Sequence, residues 1–412
     1  MSRGGNETGT GNTQHMKTGR NVRRHALRRT RSTRSAATIR LLGAIASFAG
    51  GCTLAHAQGS VTLFGVVTAG VSYTNHTAGG SLVRETSGDA QGSHWGLIGS
   101  EPLGGSTRAI FKLVSGFNSA TGALTQNGRM FGYESWVGIA DARAGALTFG
   151  RQYDSVVDFL APIHKPVVNN LAAHVFDNDN LNHGFRVNNA VKYSYGSNDG
   201  WRISGLYGFS NDAGAVANDR VASIGTSWTA GALQFAAAYL RLDNDGTAAT
   251  GGAVTLSDRT FIASRQSIYG AGVRWREGRT TLGALWTHSQ FDHLKTINGI
   301  GSLGISAGNA HASFDNVELN GQYRFTPALS ATLAVTCTTA RFEQKSGTHR
   351  PSWLEPSIFV DYSLSRRTDV YAEALYQHAR GDGTGIGADI NRQPLAGGDT
   401  QLVVATGIRH RF

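Results

Sequence analysis

The chain is short of proline, cysteine and charge. Proline numbers 7 in 412 residues although glycine numbers 54, which excludes collagen and low-complexity linkers, where the two rise together. Cysteine numbers 2. Cys52 falls in the N-terminal segment, so Cys337 is alone in the remainder, which excludes an internal disulfide and a cysteine metal centre there. Charged residues make up 16% of the chain, few for a soluble domain, yet the mean hydropathy is −0.22. No apolar run beyond residue 57 approaches the length of a membrane-spanning helix. Apolar residues alternating with small polar ones give this neutral average, as in a β-barrel with lipid outside and water inside.

The formal charge of +10 belongs almost entirely to the N-terminus. Residues 1–57 carry ten Lys and Arg against one acid, Glu7, leaving 28 basic and 27 acidic residues in 58–412. The excess is therefore no sign of nucleic-acid binding. Arg23, Arg24, Arg28, Arg29, Arg31, Arg34 and Arg40 form a long basic region, Leu41 to Leu54 a short apolar core, and Ala55-His56-Ala57 a small-x-small cleavage site. Two domains follow: a secretory signal over 1–57, cleaved after Ala57, with Met16 as an alternative start, and a barrel over 58–412. A twin-arginine signal at Arg23-Arg24 lacks the closely following apolar residues. A lipidated Cys52 has Ala49 where Leu or Val is wanted.

From residue 60 onwards the pattern has a period of two. Val317, Leu319, Tyr323 and Phe325 oppose Glu318, Asn320, Gln322 and Arg324, and Ile358, Val360, Tyr362 and Leu364 oppose Asp361 and Ser363. Strands are expected near 60–74, 93–100, 106–117, 132–141, 145–150, 186–196, 200–209 and 220–229. The others fall near 231–242, 265–276, 279–290, 313–325, 328–341, 354–364, 367–379 and 400–412. That makes sixteen, an even number that lets an all-β, antiparallel transmembrane sheet close on itself. Closure matters because lipid offers no partner to an open backbone edge. Turns such as Asn198-Asp199-Gly200, Glu277-Gly278 and Thr326-Pro327 alternate with long polar loops near 75–92, 118–131, 151–185, 210–219, 243–264, 291–312, 342–353 and 380–399. Short periplasmic turns and long extracellular loops build such barrels, so both termini are expected at the periplasmic end.

Against this frame, GSVTLFGVV at 59–67, WGLIGSEPLGG at 95–105, GRQYDSVVDFL at 150–160, DNDN at 177–180, FRVNNAVKYS at 185–194 and GIRHRF at 407–412 carry a resemblance. The chain resembles the trimeric general porins of β-proteobacteria from Ser60 to Phe412. The resemblance implies a homotrimer in the outer membrane, among its lipids and lipopolysaccharide, and a long third loop folded into the pore. It also implies a C-terminal aromatic, Phe412, read by the outer-membrane assembly machinery. The function so implied is a water-filled channel for passive diffusion of ions and small hydrophilic solutes, with no catalysis and no cofactor.

A sixteen-stranded barrel leaves a wide lumen, which a loop carrying Asp154, Asp158, Asp177 and Asp179 can narrow. Opposed charges across such a gap bias ion passage. The expected constriction comprises Arg186, Asp154, Asp158, His94, Tyr133 and Lys112. The expected basic wall comprises Arg108, Lys192, Arg274, Arg276 and Arg324. For most of these residues the plainer reading is an ordinary wetted lumen position. His94 and Tyr133 stand where related porins usually carry arginine, so anion preference should be weaker, with a pH response if His94 titrates near about 6.5.

Other signals are faint. Gly381 to Gly387 lacks the strand-then-helix setting of a phosphate loop. Asp243-Asn-Asp245-Gly246 lacks the remaining calcium ligands. The fourteen histidines are scattered and suggest no metal site. The alternatives from other classes are a barrel enzyme, for which no Ser/His/acid constellation is evident, and an adhesin or receptor using the long loops.

Overall fold

The computed structural model describes residues 59–164, 170–244, 251–298, 310–345, 347–381 and 386–412. The expected signal segment, Cys52, most of the glycine run at 381–387 and Asp245-Gly246 lie outside the described residues.

Sixteen strands form the wall: β1 (Ser60–Thr77), β2 (His94–Gly104), β3 (Thr107–Gly116), β4 (Glu134–Asp141), β5 (Gly145–Gln152), β6 (Val187–Gly196), β7 (Trp201–Gly208) and β8 (Arg220–Ala230). The wall continues through β9 (Leu233–Asp243), β10 (Arg265–Glu277), β11 (Thr280–Leu294), β12 (Ala310–Arg324), β13 (Leu329–Gln344), β14 (Ser352–Ser363), β15 (Thr368–Arg380) and β16 (Thr400–Arg411). Each strand pairs antiparallel with its sequence neighbour. The sheet closes where β1 lies between β2 and β16, with Ser60 to Val66 against Ser100 to His94 and Val66 to Thr74 against Arg411 to Val403. Gly65 and Phe412 exchange backbone hydrogen bonds of 3.1 and 3.0 Å at the seam.

Alternation explains which side chains face where. On β12, Leu319 is 63% exposed on the outer face while neighbouring Glu318 is 0% exposed inside. Apolar out and polar in is the reverse of a soluble protein and suits a lipid-facing wall. Trp201, Trp228, Tyr323, Phe325 and Tyr362 are exposed near the short-turn ends, where amphipathic rings meet the headgroups. Gly65 gives space to the Phe412 ring, which comes within 2.3 Å of where a Cβ would stand.

Four expected loops contain further strand; in two of them Phe261–Ile262 and Thr296–Ile297 pair with each other apart from the wall. Gly80–Thr86 turns back onto the end of β1 within 75–92, and Gly347–His349 pairs with the end of β13 within 342–353. These last two extend the wall at the long-loop end. The long segment after β5 runs inside the barrel, opening with α1 (Ser155–Phe159).

Candidate functional site

The inward loop is attached along two stretches. In the first, Val156, Phe159, Leu160 and Ile163 are buried in a cluster with Leu206, Ala236, Leu240, Ile268 and Leu285 of the wall. Close approach needs glycine on the wall: a Cβ on Gly225 would stand 2.4 Å from the Phe159 ring. Asp154 caps α1, its Oδ1 accepting from the N–H groups of Val156 and Val157 at 2.8 and 3.2 Å. Asn180 donates to its other oxygen at 2.8 Å. Asp154 is therefore fully buried and presents no charge to the lumen, which corrects its expected place in an acidic pore wall. Burial is also what raises its carboxyl to about 6.

The second stretch is held by polar groups. His174 reaches Asp179 Oδ2 through Nδ1 at 2.6 Å and Glu318 Oε2 through Nε2 at 3.1 Å. His164 Nδ1 contacts the same Glu318 oxygen. Thr287 Oγ1 donates to Asp179 at 2.5 Å, and Asn320 donates to Glu318 Oε1 at 2.6 Å. Burial alone would lower the His174 pKa, but Asp179 and Glu318 overcome it and push it up to about 10. Beside this network Phe176 packs edge-on against Phe261, Phe314 and Trp353. Phe176 adopts φ 60°, a backbone region that non-glycine residues rarely occupy.

Between the inward loop and strands β1 to β4 lies a cavity of about 540 Å³. It brings together four of the six residues expected at the constriction, His94, Lys112, Tyr133 and Arg186, with Glu134, Asp177, Asp389 and Arg392. Among the described residues its rim thus carries three permanent cations and three carboxylates. The charges are interleaved rather than opposed, because Lys112 Nζ lies 2.5 Å from Glu134 Oε2 on the adjacent strand. Tyr133 does not merely remove a charge. The Arg186 guanidinium lies over its ring at 4.5 Å and over Tyr153 at 5.2 Å, and donates to Gln126 Oε1 at 3.0 Å and the His183 carbonyl at 2.6 Å. His94 contacts the Gly92 carbonyl through Nδ1 at 2.8 Å.

Asp177 and Asp389 on the rim are raised to about 7 and about 6, chiefly by burial, with Asp179 adding to the first. Burial and then Arg186 lower His183 to about 3. Sequence reasoning missed Glu134, Asp389 and Arg392 as rim residues. Glu134 could have been found, since it opposes Val114 in register, two residues from Lys112.

The remaining expected residues lie elsewhere. Asp158 pairs with Lys192 Nζ at 2.5 Å and lines a second hollow, with Arg202, Arg274 and Arg276, beside the turns at Asn198-Asp199 and Gly231-Ala232. Asp158 is therefore separated from Arg186, contrary to the expected shared constriction, because α1 turns it towards the short-turn end. Arg274 donates to the Pro162 carbonyl at 2.9 Å. Arg108 and Arg324 are exposed near the short turns, and neither is among the described residues that line the cavity. Arg151, which the sequence did not single out, is buried and joins Arg129 on Asp258 at 3.3 and 2.7 Å.

A family model described as Gram-negative porin matches residues 42–384. An outer-membrane porin protein of Bordetella pertussis is 33% identical over 196 residues. That match takes in 43% of this chain and 49% of the relative, so the chain spans about half the length of the curated protein it matches. Among solved structures, an anion-selective porin from Comamonas acidovorans is similar with a TM-score of 0.65 at 20% identity, over 86% of this chain and 100% of that one. The trimer form of OmpT of Vibrio cholerae is similar with a TM-score of 0.59 at 14% identity, over 86% and 99%. At these identities the structural likeness shows the fold.

Proposed function

The chain belongs to the Gram-negative porin family and is an outer-membrane protein, and from that premise we propose that it is a passive, non-catalytic channel for ions and small hydrophilic solutes. The observation that carries this reading is the closed sixteen-stranded wall with an inward loop and a charge-lined cavity beside it. A lumen of that width passes solutes by size and field rather than by tight binding.

The relative from Comamonas is described as anion-selective. Here the balance of Lys112, Arg186 and Arg392 against Glu134, Asp177 and Asp389 supports a near-neutral constriction with weak selectivity. Homotrimeric assembly is part of the proposal, supported by the trimer form of the Vibrio cholerae protein. So are a 1–57 signal cleaved after Ala57, contacts with lipid and lipopolysaccharide, and Phe412 as the mark read by the assembly machinery.

The test is planar-bilayer recording of purified protein. Stepwise conductance with three substates is expected, with a small reversal potential in a KCl gradient. No conductance overturns the channel, and strong, pH-independent anion selectivity overturns the near-neutral constriction. N-terminal sequencing of protein recovered from outer membranes should begin at Gln58.

A further inference from the structure

We propose that His164, His174 and Glu318 form a binding site for a divalent transition-metal cation of the zinc class, which pins the inward loop to β12. One nitrogen from each histidine and one oxygen of Glu318 all lie within 4.8 Å of one another. Tetrahedral zinc with bonds of about 2.0–2.1 Å holds its ligand atoms about 3.3 Å apart. His174 Nε2 and Glu318 Oε2, 3.1 Å apart, already meet that spacing. The two imidazoles stand 4.7 Å apart between ring centres at 70° and each aims a nitrogen at Glu318 Oε2; His164 Nδ1 lies closer to it than that spacing, so its ring draws back as an ion enters.

The surroundings also fit. His174 presents its other nitrogen, Nδ1, to Asp179 at 2.6 Å, the carboxylate–histidine arrangement that fixes the tautomer and orientation of a metal-binding imidazole. Asp179 is itself fixed by Thr287, and Glu318 is oriented by Asn320 through the oxygen not aimed at the histidines. Histidine nitrogen with one carboxylate oxygen suits zinc, cobalt or nickel better than calcium or magnesium. Charge balances too: a divalent cation and two neutral imidazoles offset Glu318 and Asp179, the ion taking the place of the proton between His174 Nε2 and Glu318. His164 is the least buried of the three, at 8% exposure, so an ion would enter past its ring.

The experiment is equilibrium dialysis of the folded full-length protein in detergent, stripped with EDTA and then offered ZnCl₂, with bound zinc counted per chain. One zinc per chain is expected, accompanied by slower hydrogen exchange in 170–186. Substituting Co²⁺ should give the visible absorption of a tetrahedral site. His164→Gln should lower affinity at least tenfold. Asp179→Asn, which touches no metal, should lower it about ten- to a hundredfold. Replacing His288 and His311, which pair with Asp315 and Asp292 on other parts of the wall, should leave it unchanged. Sub-stoichiometric zinc on the wild type, an octahedral cobalt spectrum, or undiminished binding by folded His164→Gln would each overturn the proposal. The cobalt spectrum needs no variant, so it decides even if a substitution prevents folding. Zinc counting is also independent of conductance, so this site and the channel can fail separately.

Discussion

One loop is fastened to one wall by two kinds of chemistry. Its first stretch, Val156 to Ile163, is held by apolar contacts over Gly225 and its neighbours. Its second, His174 to Asp179, is held by charges and amides on β11 and β12. The apolar attachment is tolerant, since a slightly shifted helix still buries its side chains. The polar attachment holds one geometry, because a displaced partner leaves a buried charge uncompensated. The difference suggests a division of labour: the first stretch keeps the loop inside the barrel, and the second fixes the rim of the cavity.

Breaking the polar half should have the largest effect. In the metal-free protein, Asp179→Ala leaves the His174 imidazolium without one of its two carboxylates and should cost about 3–5 kcal/mol locally. It should be read as rapid hydrogen exchange over 170–186 and noisier single-channel current, with the barrel intact. Breaking the apolar half comes next. Phe159→Ala removes a buried ring and should cost about 3 kcal/mol, seen as protease access near α1. Equal noise from both variants would refute the division of labour. Asp154→Ala loses the cap of α1, about 1 kcal/mol, and should raise exchange only in 155–160.

The smallest effect sharpens the comparison at the rim. Asp177 and Asp389, raised to about 7 and about 6, are anionic above those values and neutral below them. Lowering the pH from 8 to 5 should therefore remove two negative charges facing Lys112, Arg186, Arg392 and Glu134. The reversal potential should move towards anions, while His183, lowered to about 3, contributes nothing. Asp177→Asn and Asp389→Asn together should remove most of that shift. An unchanged pH response in the double variant would refute the assignment.

Much of the wall was legible because alternation, turn residues and loop length all report on the same sheet. Expected and observed strands agree within a few residues, and the misses at 80–86, 261–262, 296–297 and 347–349 are strand pieces hidden in polar loops. The cavity was partly legible, since motif position and alternation pointed to Arg186, alternation to Lys112, and the resemblance to related porins to His94 and Tyr133. The loop's own side chains were not. Period-two reasoning stops where the strand stops, so nothing local distinguished Asp154, turned inward as a cap, from Asp177 on the rim. Nor could spacing reveal that Glu318, one of several polar residues on β12, meets two histidines ten residues apart on a loop more than 140 residues earlier.

The seam at Gly65 and Phe412 also bears on assembly. It joins the first strand to the last, the pairing of greatest sequence separation in the sheet, and such pairings form late. Until it forms, β1 and β16 present two open edges that could join any other strand, including one from a second chain. The ring proposed as the assembly mark then comes to rest over Gly65. Closing the barrel thus removes both sticky edges in one event, and the same event seats the half-exposed Phe412 ring over Gly65.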